Sequence, residues 1–164
     1  MTQPAEPIST RPASAADLEF LARVYQAARQ DEMSSWGWTD AQREGFLRMQ
    51  FGARRASYAA AFPDAAESII LRGDDPAGSM IIHTGPKELR LVDIALLPEH
   101  RNCGVGAYLI SRLLEDAAAL NVPMALSVLR SNPAARLYRR LGFRERGGDD
   151  VYLEMENNHD RAPQ

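Results

Sequence analysis

The chain has 164 residues, of which 45% are hydrophobic and 25% charged, and its formal net charge is −3 at neutral pH. These values fit one soluble globular domain over residues 1–164, with flexible ends at 1–6 and 158–164, and they disfavour a broad nucleic-acid-binding face. The sequence contains neither an 18-residue apolar run nor a signal-peptide pattern, so we expect a cytoplasmic protein without a membrane partner.

The first half of the chain predicts a strand, two helices and the beginning of a sheet. Ser14 is a suitable N-cap for a helix over 14–30, and Thr39 or Asp40 for a helix over 40–61 that ends before Pro63. The apolar period then changes from helical to strand-like. The predicted strands are 8–12, 67–72, 78–84 and 88–97, with 73–78 as the turn between the second and third.

The second half predicts alternating helices and strands. A helix with one apolar face follows Gly106 and stops at Asn121 and Pro123. Asn132 and Pro133 begin another helix, which Gly142 ends. The remaining predicted strands are 124–129, 143–147 and 150–156, the last two joined by a turn over 147–149. The strands before and after the Gly106 helix can pair in parallel through a right-handed crossover.

A glycine-containing loop lies between an apolar strand and a helix at residues 101–107, with the sequence RNCGVGA. The first N–H groups of a helix are unpaired and carry a partial positive charge, so this arrangement favours binding of a phosphate group. A Walker A loop is excluded because Ala107 and Tyr108 follow Gly106, and Leu109 breaks the dinucleotide-binding fingerprint. A tight turn before a helix is the alternative interpretation.

The R-x-x-G-x-G spacing at 101–106 and a second block at 131–143, SNPAARLYRRLGF, together resemble the two signatures of the GNAT superfamily of N-acetyltransferases. The resemblance covers residues 67–156 and implies an α/β (α+β) GNAT fold. That fold has a mixed, mostly antiparallel sheet of about seven strands, a central splayed parallel pair and four helices. It also implies an acyltransferase that moves acetyl from acetyl-CoA directly to an amine of a small molecule or peptide, and a possible homodimer.

The resemblance assigns cofactor contacts to three parts of the chain. A bulge near Leu96 would splay the strand and free backbone groups of Ile94 and Leu96 for the acyl oxygen and the pantetheine arm. Tyr138 corresponds to the tyrosine that protonates the leaving sulfur, although it could instead belong to the buried face of its helix. The full set of expected cofactor contacts is Ile94, Leu96, Arg101, Asn102, Cys103, Gly104, Val105, Gly106, Ala107, Asn132, Ala135 and Tyr138.

The general base is the least defined part of the predicted site. The segment DIALLPEHRNCG at 93–104 resembles ribosomal-protein N-terminal acetyltransferases, whose base is a glutamate at the position of Ser127. Serine cannot take that role, so the proton falls to Asp93, Glu32 or an ordered water. A salt bridge from Asp93 to Arg90 or Arg130 is the structural alternative.

Residues for the acceptor pocket are expected between the first two helices and on the third strand. We assign Glu32, Trp36, Trp38 and His83 to acceptor binding, while the two tryptophans could equally fasten their loop to the core. Cys103 is the only cysteine, and the three histidines have no metal-site spacing, so we predict neither a disulfide nor a metal. Because serine replaces the family's glutamate at position 127, a non-catalytic acyl-CoA-binding module is a second possible function of the protein. A structural dimerisation domain is a third possible function.

Overall fold

The computed structural model describes residues 5–159, without the side chains of Asp31 and Glu32. Most of the two terminal segments that we expected to be flexible, residues 1–4 and 160–164, therefore lies outside the described residues. The helices are α1 (Leu18–Met33), α2 (Asp40–Ala61), α3 (Val105–Ala119) and α4 (Ala134–Arg140). The strands are β1 (Ile8–Pro12), β2 (Ala66–Arg72), β3 (Asp75–Thr84), β4 (Leu89–Leu96), β5 (Met124–Leu129), β6 (Arg144–Gly148) and β7 (Tyr152–Asn157).

The seven strands form one sheet in the order β1-β2-β3-β4-β5-β7-β6. All neighbours are antiparallel except β4 and β5, which pair in parallel and are connected through α3. This arrangement confirms the predicted fold, including the central parallel pair and the four helices.

The two faces of the sheet carry different helices. One face holds the main core, in which α3 and α4 pack on the central strands through residues such as Ile110, Leu126 and Met155. The apolar positions of α3 recur at helical spacing, so the helix presents a continuous stripe to the sheet. A smaller cluster of Tyr25, Met33 and Leu47 joins α1 to α2 on the other side.

Several element boundaries differ from the prediction for local reasons. The first helix begins with a 3₁₀ turn over Ala15–Asp17 and runs three residues further than expected, to Met33. The turn between β2 and β3 is shorter than predicted, because Gly73 adopts a positive φ of 59° and β3 already begins at Asp75. The β6–β7 turn shifts to residues 149–151, where the Asp149 carboxylate accepts the N–H groups of Val151 and Tyr152.

The second helix has the predicted bounds because its N-terminus is well capped. Thr39 and Gln42 form a reciprocal capping box, in which Thr39 Oγ1 accepts the Gln42 N–H at 3.2 Å. Along residues 5–159, no helix has both the length and the apolarity needed to cross a bilayer.

Candidate active site

The parallel pair separates after three residues. Pairing joins Leu89–Leu91 to Met124–Leu126, yet β4 continues to Leu96 and β5 to Leu129. Backbone groups on the facing edges of both strands therefore have no strand partner beyond this point. The predicted splay is present in the structure and opens a gap in the middle of the sheet.

The bulge lies earlier than predicted, at Val92 rather than near Leu96. Leu91 pairs with Ile82 of β3 and Asp93 with Ile81, so Val92 is the extra residue. Since side chains alternate along a strand, an unbulged β4 would direct Asp93 to the buried face of Leu89 and Leu91. The extra residue moves Asp93 to the face of α1 and α2, while Ile94 and Leu96 pack against the main core.

A cleft of about 1040 Å³ extends along this gap. One wall is formed by α1 and α2, the floor by the central strands, and the far end by residues near α4. Its polar lining residues include Arg54, Asp93, Asn132, Tyr138 and Glu154. The bulge and the splay thus bring Asp93 and Tyr138, the two predicted catalytic residues, to one cleft.

Asp93 forms an ion pair with Arg54 of α2, whose Nη2 donates to Oδ1 at 2.9 Å. The expected alternative was wrong: Arg90 pairs with Glu88 and Glu154, and Arg130 lies near Glu145, because the bulge turns Asp93 toward α2. Burial raises the pKa of Asp93, and the Arg54 charge and the Ile94 N–H oppose that rise. The Asp93 carboxylate is therefore protonated more easily than that of an exposed aspartate.

Tyr138 lies on α4 with only 5% of its surface exposed and contacts the Phe143 ring at a centroid distance of 5.7 Å. Burial, followed by the nearby negative charge of Asp93, raises the pKa of Tyr138 to about 12. The hydroxyl therefore holds its proton throughout the physiological range. It is a weaker acid than an unperturbed phenol, whose pKa is about 10.

The glycine loop adopts the backbone needed to turn into α3. Asn102 and Gly104 both have left-handed conformations, with φ of 57° and 83°. No side chain caps the helix at Gly104, and its first turn, among the described residues, carries no acidic group. Arg101 Nε donates to the Leu96 carbonyl at 2.9 Å, which fixes the loop to the end of β4.

This loop fits the diphosphate of coenzyme A. The amides of Val105, Gly106 and Ala107 belong to the first helical turn and lack an acceptor within the helix. A Cβ on Gly106 would be in van der Waals contact with Leu137 Cδ2 at 3.7 Å, so this face of Gly106 lies against α4. Cys103 is exposed, and its Sγ donates to the Arg101 carbonyl at 3.2 Å.

The second signature block serves both structure and site. Asn132 Oδ1 accepts the Ala134 N–H at 2.9 Å, which confirms its predicted capping of α4, and Asn132 also lines the cleft. Ala135 is 5% exposed and packs within the main core, so its side chain has little surface to offer a cofactor.

Sequence reasoning missed Glu154. It lies directly opposite Ser127 on the neighbouring strand β7, and the Ser127 hydroxyl donates to its carboxylate. Arg90 Nη2 binds the same carboxylate at 3.3 Å. Pairing β5 with β7 in the sequence would have placed an acid beside Ser127, but the register of two strands this far apart was not predictable.

Of the residues assigned to acceptor binding, Trp36, Trp38 and His83 are not among the cleft-lining residues. Trp36 and Trp38 pack edge-to-face with Phe46 at the start of α2, at 6.0 and 5.1 Å, and neither is among the cleft-lining residues. His83 stacks near Phe62 at 5.3 Å. The Glu32 side chain lies outside the described residues.

Known proteins are similar to this chain in sequence. The family model of the acetyltransferase (GNAT) family matches residues 21–143. The chain is 27% identical to the [ribosomal protein bS18]-alanine N-acetyltransferase of Haemophilus influenzae over 124 residues, 75% of this chain and 74% of that protein.

Solved structures agree at the level of the fold. The PaiA N-acetyltransferase from Thermoplasma acidophilum in complex with coenzyme A has a TM-score of 0.67 and 18% identity, covering 92% of this chain and 98% of that one. A spermidine N-acetyltransferase chimera from Vibrio cholerae and hSSAT has a TM-score of 0.63 and 19% identity, covering 92% and 94%.

Proposed function

Because the chain belongs to the acetyltransferase (GNAT) family, we propose that it acetylates the amine of a small molecule or peptide directly, with Asp93 as general base and Tyr138 as general acid. The chain is an acyltransferase of the N-acetyltransferase class and uses acetyl-CoA. The observation that carries the residue assignment is the gap between β4 and β5. Asp93 and Tyr138 line it from opposite faces of the sheet.

The cofactor supplies an activated acetyl group as a thioester. We assign its diphosphate to the backbone amides of residues 102–107, with Arg101 supporting the loop through its bond to Leu96. The pantetheine arm is assigned to the unpaired edge of β4 around Ile94 and Leu96, with Asn132 nearby on the cleft lining. Ala135 is buried in the main core and supports the packing of α4.

The Asp93 carboxylate takes the proton that the acceptor nitrogen loses as the new amide bond forms. At pH 7, deprotonating an α-amino group costs about 1 kcal/mol, and a lysine-type amine costs about 4.6 kcal/mol. A base in contact with the acceptor lowers this barrier in the step itself. Burial raises the pKa of Asp93, which makes the carboxylate a better proton acceptor than an exposed one.

Tyr138 gives its hydroxyl proton to the departing sulfur as the carbon–sulfur bond breaks, and solvent restores that proton afterwards. Its pKa of about 12 lies above that of a thiol, near 8.5, so the hydroxyl first donates a hydrogen bond to the sulfur, and complete transfer of the proton requires the pKa of Tyr138 to fall. The Asp93 charge is one cause of this high value. When Asp93 takes the acceptor proton, that charge is neutralised and Tyr138 becomes a stronger acid at the moment when it is needed.

A thiol-release assay with acetyl-CoA and a panel of amines tests the function. We expect saturable release of one thiol per acetylated amine, above the constant background of the exposed Cys103. Saturable acetyl-CoA binding without turnover on any amine would support instead a non-catalytic acyl-CoA-binding module. Absence of binding would contradict both.

We also propose that residues 5–159 act as one catalytic domain in the cytoplasm. A single sheet runs from β1 to β7, and the lone cysteine suits a reducing compartment. The predicted homodimer stays a prediction, which sedimentation of the purified chain would test.

A further inference from the structure

The charged residues that line the cleft differ between its two sides. From α1 and α2, Arg29, Arg54 and Arg55 line it, and no acidic residue joins them among the described residues of these helices. The carboxylates that line it, including Glu67, Asp93 and Glu154, come from the rest of the chain, as does Arg90, whose charge is paired with Glu88 and Glu154. An acceptor whose amine faces the sheet therefore has its other end toward a cationic wall.

Resting on the function proposed above, we propose that the acceptor is an amino acid-like molecule, with a carboxylate a few bonds from the amine that is acetylated, and that Arg54 binds this carboxylate. Asp93 and Arg54 would then act together as a receptor for the two charges of one small zwitterion.

Arg54 is held in a defined position. Its guanidinium carbon lies 5.6 Å from the centroid of the Tyr25 ring and 5.2 Å from that of Tyr58. Contacts of this kind with aromatic rings favour the charged group and restrict its motion. Because a guanidinium has five N–H donors in a planar fork, it can bind a second carboxylate beside Asp93.

Charge balance in the cleft favours a second carboxylate. The Asp93 and Arg54 side chains are 28% and 38% exposed and neutralise each other in the resting site. An incoming ammonium on Asp93 adds one positive charge in this half-buried place, where uncompensated charge is costly. A carboxylate on the same acceptor restores neutrality at Arg54.

Other amine classes lack this compensation. A polyamine would bring further positive charges toward Arg29 and Arg55, and the N-terminus of a peptide carries its amine without an adjacent carboxylate. The charge pattern of the cleft therefore favours an amino acid over both.

Arg55 is a poorer candidate for this role. Its Nη1 already binds both oxygens of Glu67, at 3.0 and 2.9 Å, and Glu67 takes no part in the proposed reaction. Asp93, in contrast, takes part in the proposed reaction and must accept a hydrogen bond from the acceptor amine, which leaves Arg54 less fully paired. Arg54 is thus the arginine whose partner changes during binding.

Matched acceptors test the proposal. Thiol release is measured at saturating acetyl-CoA with L-amino acids, the corresponding amino acid amides, spermidine and a peptide with an N-terminal alanine. We expect kcat/KM at least about tenfold higher for the best amino acid than for its amide, as for loss of a charge-assisted hydrogen bond. The same pairs are titrated by calorimetry in the presence of coenzyme A, where only the carboxylated acceptor should bind measurably.

Variants of α2 assign the preference to Arg54. Arg54→Met should raise KM for the amino acid and remove the acid-to-amide preference, and Arg54→Lys should recover part of it. Comparing acid with amide within each variant cancels any effect on Asp93. Arg48→Met is the control, because Arg48 is exposed on the same helix and pairs with Glu44 outside the cleft.

The outcomes separate this inference from the proposed function. Equal kcat/KM for amino acid and amide, a preference for spermidine or the peptide, or an unchanged preference in Arg54→Met would overturn the inference and leave the acetyltransferase assignment standing. Thiol release with none of the amines, in protein that binds acetyl-CoA, would overturn the proposed function instead.

Discussion

The proposed donor side and the proposed acceptor side of the site are built in different ways. The glycine loop, α3 and α4 lie within one continuous stretch, 98–141, and the loop offers backbone amides at a helix N-terminus. The acceptor side is assembled from distant side chains, since Arg54 and Asp93 are 39 residues apart. Changes on the donor side should therefore alter cofactor affinity, and changes on the acceptor side should alter turnover and acceptor KM.

The largest effect is expected at the proposed base. Asp93→Asn removes the proton acceptor and should lower kcat/KM for alkyl amines about 100-fold or more, with the affinity for acetyl-CoA unchanged. Steady-state kinetics and calorimetry measure the two quantities. Asp64→Asn, on the exposed turn after α2, is the control. A kcat/KM for Asp93→Asn close to that of the control would remove Asp93 from the reaction.

Tyr138 should affect turnover alone. Tyr138→Phe keeps the ring and its contact with Phe143, so the melting temperature should change little, while kcat falls about 10- to 100-fold. The acetyl-CoA dissociation constant should be that of the parent protein. A parallel loss of affinity would mean that the hydroxyl holds the cofactor rather than the proton for the sulfur.

The donor side should respond through affinity. Gly106→Val adds bulk at the first turn of α3 and should weaken acetyl-CoA binding about tenfold. Because its Cβ would already contact Leu137 Cδ2 at 3.7 Å, the melting temperature is measured alongside the affinity. Gly52→Val on α2, where a Cβ meets nothing within 4 Å, serves as the control in the same titration. Equal affinities would argue against a cofactor cradle at the loop.

The activity should decrease with pH on the acidic side only. Burial raises the pKa of Asp93, so activity should fall on the acidic side at a higher pH than an ordinary aspartate, near 3.9, would give. The folded state binds the Asp93 proton more tightly than the unfolded state does. Asp93 therefore contributes stability at low pH, and this contribution decreases as pH rises from about 3.9 to the raised pKa of the folded protein. Tyr138, with a pKa of about 12, should cause no alkaline loss up to pH 10. A kcat profile that declines between pH 7 and 10 would contradict its role.

The smallest effect is expected at the aromatic cluster of Trp36, Trp38 and Phe46. Trp36 is 45% exposed and lies outside the cleft lining, so Trp36→Ala should leave acceptor KM within about twofold and lower the unfolding free energy by about 1 kcal/mol. Kinetics and denaturant unfolding measure both. A tenfold rise in KM would restore the acceptor role first assigned to this tryptophan.

Local patterns in the sequence were sufficient to predict the backbone of the proposed donor side. The R-x-x-G-x-G spacing, the capping residue Asn132 and the glycine after α4 act through nearby backbone groups, and the structure has each where it was expected. Apolar periodicity predicted the order of strands and helices correctly. The predicted and observed elements differ only by a few residues at their ends.

The acceptor side depended on interactions that a linear pattern does not contain. The one-residue bulge at Val92 reverses the direction of Asp93, and no residue type in that strand marks its position. The partners Arg54 of Asp93 and Glu154 of Ser127 both follow from strand or helix packing across many residues. The sequence therefore named Asp93 and Tyr138 as candidates, whereas their position in one cleft and the acceptor hypothesis at Arg54 required the folded structure.

A crystal structure with coenzyme A and an N-acetylated amine tests the central claim most directly. We predict the diphosphate on the amides of 102–107, and the thiol and the acetamide in the gap between β4 and β5, within hydrogen-bonding reach of Tyr138 and Asp93 respectively. A cofactor bound elsewhere, with the two strands paired beyond Leu91 and Leu126, would contradict it.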